Sequence, residues 1–144
     1  MNFPEPSVWM RHRISYGETD AMGVLYYAEY LHIFERARST YSRACGCSYD
    51  EIEKGGIILP VREAQCRYRS PGHYDELIWV QVAISEWKRA SVCFAYRMYD
   101  EGRNVLLAEG MTEHAVYNRE AARPVGVPGW LKEAFSRVKY PDIE

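Results

Sequence analysis

No stretch of the 144 residues is long and apolar enough to span a bilayer, and the opening MNFPEPSVWMRHR lacks the continuous apolar core of a secretory leader. A cytoplasmic chain with no membrane partner is therefore expected. An excess of one charge is also missing. Eighteen Lys and Arg against 20 Asp and Glu leave a net charge of −2 with the cations dispersed, which offers no long-range capture of nucleic acid. The four cysteines, Cys45, Cys47, Cys66 and Cys93, lie in apolar or helical contexts instead of a loop-rich framework, and read as free thiols. The histidines, His12, His32, His73 and His114, fall on separate segments without HExxH spacing. Cys45-Gly46-Cys47 has no second half and sits at a helix end, so it reads as structural. Neither a metal nor a cofactor is expected. Repeats, low-complexity tracts and linkers are absent as well, and residues 1–144 read as one domain, large enough to bury a core without staples.

What is present is ordinary globular material, 47% hydrophobic and 26% charged, so disorder is excluded. From Val8 to Tyr16 apolar residues alternate (Val8, Met10, Ile14, Tyr16) against Arg11, Arg13 and Ser15, the period of a half-buried strand with His12 on its inward side. From Ala28 to about Ala44, Tyr30, Leu31, Phe34, Ala37, Tyr41 and Ala44 recur at helical steps, and Gly46 supplies a stop. Glu29, Glu35, Arg36, Arg38 and Arg43 fill much of the remaining helix surface. After Gly55-Gly56 the period returns to two, predicting strands over roughly 57–69, 76–87, 89–100 and 104–117, with a tight connection at 100–104. Pro128, Trp130, Leu131, Ala134, Phe135 and Val138 predict a short docked helix at about 128–138. Strand, long helix, four strands, short helix is an α+β order in which one curved, mostly antiparallel sheet must cover the central helix.

Chemistry concentrates in Tyr16-Gly17-Glu18-Thr19-Asp20-Ala21-Met22-Gly23-Val24-Leu25-Tyr26-Tyr27, which runs straight into that helix. Unpaired N–H groups at a helix start carry partial positive charge and can hold an oxygen that is gaining negative charge. A carboxylate beside such a site can attack a carbonyl or take a proton from water. Asp before a helix is equally a capping or turn residue, and the pattern alone leaves both readings open.

The segment resembles the signature of the 4-hydroxybenzoyl-CoA thioesterase family of the hotdog superfamily, through Tyr16, Thr19-Asp20, Gly23, Val24-Leu25, Tyr26, Tyr27 and Tyr30. The likeness continues through Phe34-Glu35-Arg36-Ala37-Arg38, Val61-Arg62-Glu63-Ala64, Arg67-Tyr68 with Pro71 and Tyr74-Asp75, and Glu86-Trp87-Lys88-Arg89-Ala90-Ser91, covering about residues 10–117. The resemblance implies a helix wrapped by a five-stranded antiparallel sheet, and an acyl-CoA thioesterase giving a carboxylic acid and free CoA. It further implies a homodimer whose interface forms the active sites, commonly paired again into a tetramer.

Residue by residue, the resemblance implies Asp20 as catalytic carboxylate and the Tyr27 backbone N–H as the group polarising the carbonyl. Gly23 matches the glycine of the tight turn. Lys88 and Arg89 match nucleotide-contacting positions, with Ser91 as companion, against the alternative of a solvated basic turn. Tyr26 and Tyr30 can line an acyl pocket or belong to the core. Glu63 is a second acid or a structural partner for Arg67 or a backbone group. Two other functions stay open, an acyl-carrier-protein thioesterase and a non-catalytic acyl-CoA binding protein. A dehydratase of the same fold is disfavoured because the loop offers no histidine.

Overall fold

The computed structural model describes residues 2–141. Strand β1 (Ser7–Arg13) is followed by a loop, a 3-10 turn at Tyr27–Glu29 and helix α1 (Tyr30–Ala44). Next come α2 (Tyr49–Lys54), β2 (Ile57–Ile58), β3 (Val61–Tyr68), β4 (Leu77–Trp87), β5 (Ser91–Tyr99) and β6 (Leu106–Ala115). The chain ends in β7 (Tyr117–Asn118), β8 (Arg123–Pro124) and α3 (Gly129–Ala134). Five strands form one antiparallel sheet in the order β1-β4-β5-β6-β3 around α1, the α+β arrangement expected, while β2, β7 and β8 form a small second sheet. No described helix is long and apolar enough to cross a membrane.

Helix and sheet meet through the two periods in the sequence. Ile33, Phe34, Ala37, Tyr41 and Ala44 on α1 are buried against Ile78, Val80 and Val82 of β4 and Val92, Phe94, Tyr96 and Met98 of β5. Phe34 lies flat on Tyr96, ring centroids 4.4 Å apart at 6°. Beside that stack a methyl carbon at Gly110 would fall 2.6 Å from Phe34 Cε2 and 2.6 Å from the Gln65 carbonyl oxygen. Only glycine lets the helix approach this closely.

The structure corrects several expectations. Tyr16 is 80% exposed, because β1 stops at Arg13 and the chain turns at Ser15, whose N–H donates to Glu18 Oε1 at 2.8 Å. Helix α2 was not foreseen, although Ser48 and Glu51 form a capping box at its start. The run 57–69 divides at Pro60 into β2 and β3, and α3 is shorter than 128–138, with Pro128 as its cap and Leu131 and Phe135 buried. Leu31, expected in the apolar stripe of the helix, is exposed.

Arg38 is the largest departure. Assigned to the helix surface, it is 6% exposed. Its Nη1 donates to Tyr96 Oη at 3.1 Å, Tyr96 Oη lies 2.6 Å from Thr112 Oγ1, and Thr112 Oγ1 lies 2.9 Å from His114 Nε2. His114 Nδ1 is 2.9 Å from the Leu59 carbonyl oxygen, which only accepts. Nδ1 therefore carries the proton, Nε2 accepts from Thr112, and Thr112 accepts from Tyr96. Every proton along the chain is assigned by that one carbonyl.

Burial, with the nearby Arg38 cation, pushes His114 down to about 4 from its ordinary 6.5. The unfolded chain takes up this proton near pH 6.5 and the folded chain only near 4, so the unfolded state binds more protons between those values. Stability should accordingly fall as pH drops through that window, by roughly 3 kcal/mol from this group. Urea midpoints between pH 7 and pH 4, with NMR titration of the His114 ring, measure it. A ring that titrates near 6.5 would contradict the assignment.

Candidate functional site

The loop between β1 and α1 is a miniature hairpin. Thr19 bridges Leu25, Asp20 N–H donates to Val24 O at 2.9 Å, and Tyr26 N–H donates to Glu18 O at 2.9 Å. Its tip closes with Gly23 N–H on Asp20 O at 3.0 Å, Gly23 taking φ +79°. The hairpin is pinned outward by Leu25 N–H to Gly72 O at 2.8 Å and Tyr74 N–H to Gly23 O at 3.0 Å. At its base the Glu18 carboxylate sits 2.9 Å from the buried His12 Nε2, and Arg36 Nη1 lies 3.2 Å from His12 Nδ1. Burial alone would raise the Glu18 carboxyl, but bonds from the Ser15 backbone and the His12 ring outweigh it and hold the group below its usual value.

Asp20 is exposed at this tip. Its Oδ1 accepts from Met22 N–H at 2.8 Å and from Val24 N–H at 3.3 Å, while Oδ2 accepts no hydrogen bond among the described residues. One oxygen orients the carboxylate and the other is left without a partner among the described residues. The capping and catalytic readings of Asp20 are thus compatible, one per oxygen.

A cleft of about 330 Å³ opens against Asp20, lined by Tyr27, Tyr30, Tyr68, Arg69 and Pro71 among others. Tyr27 begins the turn that leads into α1, so its N–H has no acceptor within the helix, and no loop acceptor meets it among the described residues. Tyr68 Oη donates to the Tyr27 carbonyl at 3.2 Å and packs edge-on to Tyr30, centroids 4.8 Å apart, which fixes the helix start against β3. Tyr30 is buried, whereas Tyr26 is exposed and leans on the Tyr27 ring, outside the cleft lining. The arrangement offers a carboxylate oxygen and a helix-start N–H on one apolar, aromatic-walled depression, which suits attack on a carbonyl.

Lys88, Arg89, Ser91 and Glu63 do not join Asp20 within one chain. Ser91 Oγ donates to Glu113 Oε2 at 2.7 Å, and Lys88 Nζ lies 3.4 Å from the same oxygen. Both contacts hold the Glu113 carboxyl below its ordinary value, Ser91 contributing most. Arg89 O accepts from Val127 N–H, and Glu63 takes a bond from Gln65 Nε2 at 2.9 Å, not from Arg67. By register Val61, His114, Val92 and Trp87 share one level of the sheet, and Tyr68, Ala108, Met98 and Val80 another. Seven residues of β3, about 23 Å, separate the 88–91 turn from the Asp20 end. Sequence reasoning assigned no role to Tyr68 and Arg69, although Tyr68 stood in the motif that carried the resemblance. Among the described residues no group of three or more His, Cys, Asp or Glu could hold a metal.

A family model described as the thioesterase-like superfamily matches residues 14–135. An acyl-CoA thioesterase of Haemophilus influenzae is 33% identical over 129 residues, covering 88% of this chain and 93% of that protein. A 4-hydroxybenzoyl-CoA thioesterase of a Pseudomonas species is 25% identical over 88 residues, 59% of this chain and 62% of that protein. Among solved structures, a DHNA-CoA thioesterase from Staphylococcus aureus superposes with a TM-score of 0.81 at 30% identity, covering 90% of this chain and 89% of that one.

The tip conformation makes its own prediction. A Cβ at Gly23 meets nothing within 4 Å, so any effect of substitution there is conformational. Gly23→Ala should cost about 1–2 kcal/mol in urea unfolding and Gly23→Asn distinctly less, since Asn tolerates positive φ. Equal losses would point to a packing role instead.

Proposed function

Because the chain belongs to the thioesterase-like superfamily, we propose that it hydrolyses acyl-CoA thioesters to a carboxylic acid and free CoA, with Asp20 as the catalytic carboxylate. The observation that carries this reading is the divided carboxylate of a cleft-lining residue, one oxygen tied by two loop N–H groups and the other without a partner among the described residues. The Tyr27 N–H receives the charge that builds on the thioester oxygen, and Gly23 sets the turn that presents Asp20. Two routes use the same atoms. In one, Asp20 attacks the carbonyl, CoA leaves as thiolate, and water cleaves the resulting anhydride. In the other, Asp20 takes a proton from water as the water attacks. A thiol with a pKa near ~8.5 leaves readily as thiolate, so no strong acid is required at sulfur.

The active unit in this reading is a homodimer made through β3. That strand pairs with β6 on one side only, and both of its faces are open, whereas β1 at the opposite edge has its inner face buried. A two-fold near the middle of β3 would pair it antiparallel with its copy and extend the sheet. The same operation would carry the partner's Lys88 and Arg89 to the Asp20 end, where paired cations suit the phosphates of CoA. Ser91 and Glu113 would hold Lys88 for that purpose, Glu63 would lie on the shared edge, and Tyr30 would flank the thioester, with Tyr26 outside the cleft against the Tyr27 ring.

Free-thiol release from a panel of aromatic and aliphatic acyl-CoAs tests the function. Asp20→Asn, at matched thermal stability, should lose roughly 10²–10⁴-fold in kcat/KM. Retained turnover would remove Asp20 from the chemistry, and silence of the wild type across the panel would end the thioesterase reading. The dimer is tested by light scattering, which should give two or, where dimers pair again, four times the 16.8 kDa chain mass at micromolar concentration. A monomer that turns over substrate would refute the shared site.

A further inference from the structure

Arg38 stands at a second cavity, of about 490 Å³, open to the surface and lined by α1, α2 and the chain entering β3, with Arg119. Its inner wall is apolar, with Ile52, Ile58 and Leu59, apart from Arg38 and Tyr49. Arg38 Nε and Tyr49 Oη are both buried, and neither makes a well-formed hydrogen bond among the described residues, although the guanidinium and the phenol lie close enough to interact with each other. The guanidinium spends Nη1 on Tyr96, and no described carboxylate lies within ion-pair distance of it. The other charged residues lining the cavity, Glu35, Glu53 and Arg119, are all exposed. A buried guanidinium at the lining of a cavity, with a phenol beside it and no described carboxylate to neutralise it, is a costly arrangement that an anionic oxygen pair relieves.

Resting on the proposed thioesterase dimer, we propose that this cavity is the acyl pocket of the partner's Asp20 cleft and that it receives a terminal carboxylate, so that the preferred substrates are mono-CoA thioesters of dicarboxylic acids. The cavity includes Val61, and the Asp20 cleft includes Tyr68, the two ends of β3. Antiparallel pairing of that strand with its copy sets each cleft beside the other chain's cavity. The guanidinium edge bearing Nε matches the two oxygens of a carboxylate, and the Tyr49 hydroxyl adds a third donor. The apolar wall takes the methylene chain between thioester and acid. Arg38 and Tyr49 thereby select the substrate, and Asp20 cleaves it.

The test compares succinyl-, glutaryl- and adipoyl-CoA with butanoyl-, pentanoyl- and hexanoyl-CoA, each pair differing in a terminal carboxylate against a methyl. The wild type should favour the acid member by at least about tenfold in kcat/KM at the best-fitting length. Arg38→Met should bring that ratio to about one, and Tyr49→Phe, which removes a single oxygen and holds the fold should Arg38→Met fail to, should lower it several-fold. Equal or better turnover of the methyl-terminated series, or a ratio indifferent to Tyr49→Phe, overturns the pocket assignment while leaving the thioesterase reading intact. Absence of turnover with both series and with the aromatic thioesters removes the thioesterase reading, and this one with it.

Discussion

The closeness of α1 to its sheet governs the rest of the molecule. Phe34 lies flat on Tyr96 with its edge against the bare backbone of Gly110, so the helix axis is set by contact with the sheet and not by loops. With that distance imposed, the start of α1 meets the Asp20 hairpin and the Tyr68 hydroxyl. One turn beyond Phe34, Arg38 is forced inward to the Tyr96 hydroxyl. Both the catalytic candidate and the buried cation are consequences of how tightly one helix is held.

The same packing leaves β3 uncovered. The start of the 15-residue helix touches β3 through Tyr30 and Tyr68, but most of that strand is exposed, and among the described residues no strand pairs along its outer edge. Edges of this kind are normally blunted by charge, proline or a bulge. Here the register shift between Val61 and Glu63 lies at one end only, and the remainder pairs regularly with β6. In the proposed dimer, the two-fold completes this edge with the other copy.

Much of this was legible in the sequence because periodicity reports burial. The stripe Phe34, Ala37, Tyr41 and Ala44, the alternation in β4 and β5, and the inward His12 all follow from spacing alone. The Asp20 loop announced itself through glycines, carboxylates and its place before a helix. Arg38 was misplaced because periodicity assigns a cation to water, and the hydroxyls that admit it, on Tyr96 and Thr112, lie 58 positions and more downstream. Tyr16 was misplaced because a capping contact between Ser15 and Glu18 ended the strand early. Lys88 and Arg89 were legible as cations, but within one chain they lie far from Asp20, and only the proposed dimer would bring them to it.

The hydrogen bonds that shape the Asp20 hairpin all come from residues 12–26 and 72–74 of its own chain. The walls of the second cavity come from α1, α2 and residues 57–61, with Arg119. In the proposed reading, bond cleavage and molecular selection therefore rest on different stretches of polypeptide, joined by α1, which lends Tyr30 to one and Arg38 to the other. Such a scaffold can be re-cut for a new acyl group by changes between Tyr49 and Val61 without disturbing the groups that break the bond. Specificity can then drift over evolutionary time while the reaction stays constant.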